Sequence, residues 1–115
     1  MSARPARYVV LCHEAVAQPH YDFMIELSEG GDLPTWRAPR WPPSTGDHLV
    51  RLPDHRNAYL EYEGPVSGGR GTVRRVAAGA CEARLGDGVL SVAFPDGREL
   101  TAVKDSPEQW HCIVA

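Results

Sequence analysis

The sequence predicts a mainly β fold: a small antiparallel barrel, closed or nearly closed, of about eight strands with little helix. Three observations predict it. Extended runs are short and alternate polar with apolar side chains at period two. The 11 glycines and 10 prolines fall mostly between these runs, where they punctuate strands and leave no room for a long helix. A sheet of that many strands in one small domain avoids exposed edges most economically by closing on itself. With 115 residues, 43% of them hydrophobic, the chain is expected to form one domain, residues 1–115, around a single core.

The elements follow in order. Arg7 to Cys12 is an apolar, β-branched run and reads as a buried strand. From His20 to Ser28 the alternation is strict. Tyr21, Phe23, Ile25 and Leu27 point to a core, while His20, Asp22, Met24 and Glu26 share the opposite face. Glu29-Gly30-Gly31-Asp32 makes a turn, so Leu33 to Ala38 should return antiparallel to the previous strand and stop at Pro39. Residues 40–46, with Trp41-Pro42-Pro43, read as an exposed loop. Around 53–59 a single helical turn is expected, with Asp54 as its cap. Gly68-Gly69-Arg70-Gly71 reads as a turn before a strand, since no helix pattern follows it to cradle a phosphate. Five short runs, 71–76, 80–85, 88–94, 99–103 and 110–114, then form a meander separated by Ala-Gly, Gly-Asp-Gly, Pro-Asp-Gly and Ser-Pro signals.

The net charge of −3 argues against a general nucleic-acid coat protein. Its distribution is uneven. Residues 34–75 sum to +3, and each flank, 1–33 and 76–115, sums to −3. Eleven of the twelve basic residues are arginine, whose planar fork suits phosphate oxygens, although a GC-rich genome gives the same bias. No run has the length of a membrane span or the pattern of a secretion signal, which points to the cytoplasm and away from membranes. Cys12, Cys81 and Cys112 have neither the even count of a disulfide framework nor zinc-knuckle spacing, and read as reduced, buried thiols.

The chemistry concentrates at His20 and Asp22. An imidazole and a carboxylate two residues apart on one strand face are half of a divalent-metal site, and His13 and His55 lie on flanking segments that could complete it. The alternative is a histidine hydrogen-bonded to an aspartate on a solvated strand face. Glu61 and Glu63, spaced as on one strand face, read as solvated acids. His48 and His111 read as partly exposed strand residues. Trp36 fits core packing, whereas Trp41 could stack on a base in a single-strand groove.

Several motifs occur in a recognisable order: His13, then His20-Tyr21-Asp22-Phe23, Leu33-Pro34-Thr35-Trp36-Arg37-Ala38-Pro39-Arg40, Asp54-His55, Tyr59-Leu60-Glu61-Tyr62-Glu63-Gly64 and Gly69-Arg70-Gly71-Thr72-Val73. Together they resemble the 3′-phosphoesterase domain of the bacterial multifunctional DNA ligase D, most closely its short stand-alone members. The resemblance implies an eight-stranded β-barrel and a manganese-dependent trimming of 3′-ribonucleotides and 3′-phosphates from DNA ends, in the company of nucleic acid and of repair proteins. It assigns His13, His20 and Asp22 to the metal, Mn²⁺ or another divalent ion such as Zn²⁺. His55 and Tyr59 would hold the scissile phosphate, and Arg40 stands where the family has a lysine. The pattern is departed from at Met24 and at Asp47, where arginines are expected, and at Pro53, where a glutamate is expected. Six residues, not five, separate His13 from His20.

Three functional classes follow: a metal-dependent phosphoesterase acting on 3′ ends, a non-catalytic module binding a metal, a phosphate or a DNA end, and an iron oxygenase built on a facial triad. The last lacks an arginine-serine pair to anchor a 2-oxo acid and ranks third.

Overall fold

In the computed structural model, residues 3–14 and 17–114 are described. Nine strands make one sheet: β1 (Arg4–Glu14), β2 (His20–Glu26), β3 (Leu33–Ala38), β4 (His48–His55), β5 (Gly64–Pro65), β6 (Thr72–Gly86), β7 (Val89–Ala93), β8 (Glu99–Lys104) and β9 (Gln109–Val114). Every pairing is antiparallel. The order β1-β2-β3-β4-β9-β8-β7-β6 closes through a further β1–β6 ladder into an eight-stranded barrel, and β5 adds to β6 as an extra strand. Two 3₁₀ turns, Asn57–Leu60 and Ser67–Gly69, are the helical segments among the described residues.

The alternation read along 20–28 becomes two faces. Phe23 and Ile25 are buried inside the barrel with Val10, Trp36, Leu90 and Trp110, and Tyr21 and Leu27 pack against them. Met24 lies on the other face in a second apolar cluster with Val9, Leu11, Leu33, Leu60 and Val73. Period-two geometry permits this double burial because the segment 57–66, through Tyr59, Leu60 and Val66, lies over the outside of β1 and β2. The predicted hairpin also forms, pairing Asp22 with Arg37 and Met24 with Thr35. Its turn is closed by the Gly31 N–H donating to Ser28 O (2.8 Å), with Gly30 at φ +75°, where glycine carries no steric penalty.

Three expectations are corrected. The runs 71–76 and 80–85 are one strand, β6, because Ala77 to Ala80 continues the ladder to β1 instead of turning. Small side chains let the strand coil past Tyr8, and Gly79, at φ +153°, lies against that ring. Asp54 caps nothing; it belongs to β4 and takes Arg51 (3.4 Å), and the residue preceding the first 3₁₀ turn is Arg56. Trp41 is no exposed platform. Its half-buried ring stacks on Phe23 (centroids 5.1 Å apart, 29°), meets Phe94 edge-on (6.3 Å) and packs against the barrel core, and the neighbouring Pro43 is buried.

Replacing Trp41 with alanine should therefore remove core packing rather than a surface ring. Urea denaturation of Trp41→Ala is expected to show a loss of about 2–3 kcal/mol; a loss below about 0.5 kcal/mol, as for ordinary surface positions, would contradict this packing.

Candidate metal centre

His13 is the penultimate residue of β1 and His20 begins β2, and the antiparallel register pairs the two directly. Asp22, two residues along β2, turns its carboxylate to the same face and is only 4% exposed. The ligand atoms of the three residues all lie within 4.8 Å of one another. The linker between the two strands includes Ala15 and Val16, which lie outside the described residues.

The hydrogen bonds of the two rings define the site. His13 Nε2 contacts the carbonyl oxygen of Arg70, and His20 Nδ1 contacts that of Gln18 (3.1 Å). A carbonyl oxygen only accepts, so both of these nitrogens must donate, which leaves a lone pair on His13 Nδ1 and on His20 Nε2 in the neutral rings. Those two nitrogens face each other at 3.0 Å. Two acceptors at that distance repel unless a proton or a cation lies between them. Backbone carbonyls that fix the far nitrogen of each ring are the usual support of metal-ligating histidines. The spacing suits octahedral more than tetrahedral coordination: two nitrogens about 2.1 Å from a common ion stand about 3.0 Å apart at right angles and about 3.4 Å apart at the tetrahedral angle. Burial pushes the His20 imidazole below the usual histidine range, with Asp22 opposing that shift. The donor set of two imidazoles and one carboxylate thus fits Mn²⁺ or Zn²⁺.

Arg37, the β3 partner of Asp22, forks onto the carboxylate, with Nε donating to Oδ1 (3.0 Å) and Nη2 to Oδ2 (3.3 Å). It orients Asp22 through one lone pair on each oxygen and leaves the others available. Sequence reasoning missed this contact, although the hairpin register contains it.

The remaining residues singled out in the sequence are arranged differently. His55 pairs in register with Leu33, whereas Ala38, at the other end of β3, pairs with Tyr21. His55 therefore stands at the end of β3 away from the triad. His55 and Tyr59 meet each other edge to face (5.6 Å), and His55 Nδ1 donates to Pro53 O (3.0 Å). Among the described residues no hydrogen bond, ion pair or ring contact joins either to His13, His20 or Asp22. Tyr59 nonetheless packs on the cluster that contains Met24, the next outward-facing residue after Asp22. Arg40 follows β3 at the triad's end of the hairpin, but its guanidinium is bound to Asp47 (3.0 Å). Met24, where the resemblance expects an arginine, is 2% exposed and lies in an apolar cluster. Residues 61–63 form no strand, and Glu63 instead accepts the Arg75 N–H (2.8 Å). His111 is held by Asp105 (2.8 Å). No family model matches the sequence, and comparison with curated proteins finds no match.

Glu26 anchors the segment that carries Tyr59. Its carboxylate, 6% exposed, accepts from Arg7 Nε (3.1 Å), from the Gly30 N–H (3.0 Å) and from Asn57 Nδ2 (2.7 Å), and Asn57 also donates to Gly31 O (2.8 Å). The hydrogen bonds from Arg7, Asn57 and Gly30 hold its pKa down at about 2. A depressed carboxylate contributes stability that is fully present above its ordinary pKa of 4.5 and is lost as pH falls through the folded value. Thermal melts should accordingly fall between pH 4.5 and 2 in the wild type, whereas Glu26→Gln should start about 1–3 kcal/mol lower at pH 7 and show a flatter decline. An identical acid profile in the two proteins would remove Glu26 as the anchor.

Proposed function

We propose that this protein is a metal-binding phosphoesterase-like protein that acts on 3′ ends of nucleic acid, removing a 3′-phosphate or a 3′-terminal ribonucleotide from DNA. The observation that carries the reading is the pair of lone-pair nitrogens of His13 and His20 facing each other at 3.0 Å beside the buried Asp22 carboxylate. A divalent cation bound there supplies Lewis-acid polarisation of a phosphoryl oxygen and a lowered pKa for an attacking water. The chain's own residues divide the remaining work. Arg37 holds Asp22 in place, and the carbonyls of Arg70 and Gln18 hold the two rings. The resemblance gives His55 and Tyr59 to the phosphate; Nδ1 of His55 is committed to Pro53 O, which leaves Nε2 for proton transfer, but the ring stands at the end of β3 away from the triad, so this role rests on the resemblance and not on a contact. Arg40 would meet the substrate only by leaving Asp47.

A second reading has its own observation. Positioned positive charge is the main source of stabilisation for a phosphoryl-transfer transition state, and here Met24 is buried while Arg37 and Arg40 are each bound to an aspartate. A module that binds a metal and a DNA end without turnover fits that arrangement.

Calorimetric titration with Mn²⁺ and with Zn²⁺ tests the centre itself: wild type binds one ion, and Asp22→Asn binds at least about tenfold more weakly. Equal binding by both proteins would remove the site. For turnover, an end-labelled DNA primer bearing a 3′-phosphate or a single 3′-ribonucleotide is incubated with Mn²⁺. His55→Ala should lose about 10²–10⁴-fold in rate with its metal affinity intact. Absence of product from the wild type with any divalent ion, alongside normal metal binding, selects the binding module. Restoring an arginine at position 24 is a poor rescue, because the charge would enter an apolar cluster at a cost of several kcal/mol.

A further inference from the structure

Beyond the second apolar cluster, the outer face carries a cavity of about 240 Å³ lined by Arg56, Ala58, Tyr59, Tyr62, Pro65 and Val66. Its aromatic walls are two tyrosine rings set edge to face with centroids 5.7 Å apart. The Tyr62 hydroxyl donates to Pro65 O, which fixes that ring while leaving the residue 37% exposed. Ala58, Pro65 and Val66 add apolar surface. Arg56 is exposed, and its guanidinium makes no hydrogen bond or ion pair among the described residues. The volume falls below the 300 Å³ or so of a drug-sized pocket and suits a single ring system.

One short loop contributes both to the wall of the cavity and to the support of the metal centre. Val66, in its wall, donates its N–H to Gly71 O (2.8 Å), and the Arg70 carbonyl in the same loop touches His13. On the other side Tyr59 lies over the cluster that contains Met24, next outward after Asp22. A ring bound against Tyr62 and a group bound at the triad thus lie on either side of the loop 66–71.

We propose that this cavity is a nucleoside pocket, in which the base of a 3′-terminal nucleotide stacks on Tyr62 and Arg56 while its 3′-phosphate is directed to His13, His20 and Asp22. The direction of the phosphate rests on the phosphoesterase reading; the binding of the base does not. Every base offers a π face, so aromatic stacking favours nucleosides over bare phosphate without selecting a sequence. An unpaired guanidinium adds a planar cation that stacks on the base or meets an adjacent phosphate.

Titration of the full chain with adenosine 3′-monophosphate and with inorganic phosphate, both in chelator so that no turnover occurs, tests the pocket apart from the metal. The nucleotide should bind at least about tenfold more tightly than phosphate. Ala58→Trp, which fills the cavity without removing a contact, should abolish that difference and leave Mn²⁺ affinity unchanged. Tyr62→Phe keeps the ring and should retain the preference, and Arg56→Gln, at an exposed position, should weaken nucleotide binding a few-fold. Equal affinity for nucleotide and phosphate, or nucleotide affinity indifferent to both Ala58→Trp and Arg56→Gln, overturns the proposal. Nucleotide binding that is lost in Ala58→Trp, in a protein that cleaves no 3′ end, would retain the pocket and sink the phosphoesterase reading instead.

Discussion

The ladder between β1 and β6 is the constraint on which the rest of the structure depends. It runs from Arg4 opposite Ala83 to Glu14 opposite Thr72, with one bulge between Val10 and Leu11, and it closes the barrel. Without it the sheet would present two long edges, each a row of unpaired backbone donors and acceptors. The same ladder sets His13 opposite Val73, three residues after Arg70, which is how a carbonyl from a distant loop reaches the far nitrogen of that ring. Closure and the support of the candidate metal centre thus have one cause.

Burial on both faces of β1 and β2 is the second organising feature. Inside, aromatic residues from several strands meet edge to face, with Trp36 against Trp110 at 5.5 Å and Tyr8 against Phe94 at 5.0 Å. Outside, the segment 57–66 covers Leu11 and Met24 and is tied to β2 through Asn57 and Glu26. The triad lies on the same outer face, where Asp22 is buried under the Arg37 fork while the two rings stay half-exposed. A site placed at the margin of a rigid sheet has fixed geometry and an open approach, which a loop-borne site lacks.

Charge pairing gives this surface its character. Asp22 with Arg37, Glu14 with Arg74 (2.6 Å) and Asp47 with Arg40 each set an arginine against an acid near the triad end of the strands. The positive middle third of the chain therefore does not form a free basic stripe there, and Arg56, on the neighbouring cavity, is the arginine left with an unengaged guanidinium in that wall. Recognition of a long nucleic-acid backbone has little support on such a surface. Capture of one terminal nucleotide needs far fewer cations.

The sequence by itself determined the class of fold, the hairpin of β2 and β3, and the common face of His20 and Asp22, because a period of two and a short Gly-rich turn act over neighbouring residues. It left open which flanking histidine, His13 or His55, completes the pair, and the β1–β2 register selects His13. Only the tertiary structure decided that 71–76 and 80–85 are one strand, since Ala77 to Gly79 can turn or coil and the ladder to β1 selects coiling. Only the tertiary structure joined Arg37 to Asp22, Arg40 to Asp47 and the Arg70 carbonyl to His13, contacts that depend on which strand ends meet. The fate of Trp41 and Met24 was likewise undecided in the sequence. Local pattern gives the face on which a side chain emerges, but whether that face is covered depends on where a segment remote in the chain comes to lie.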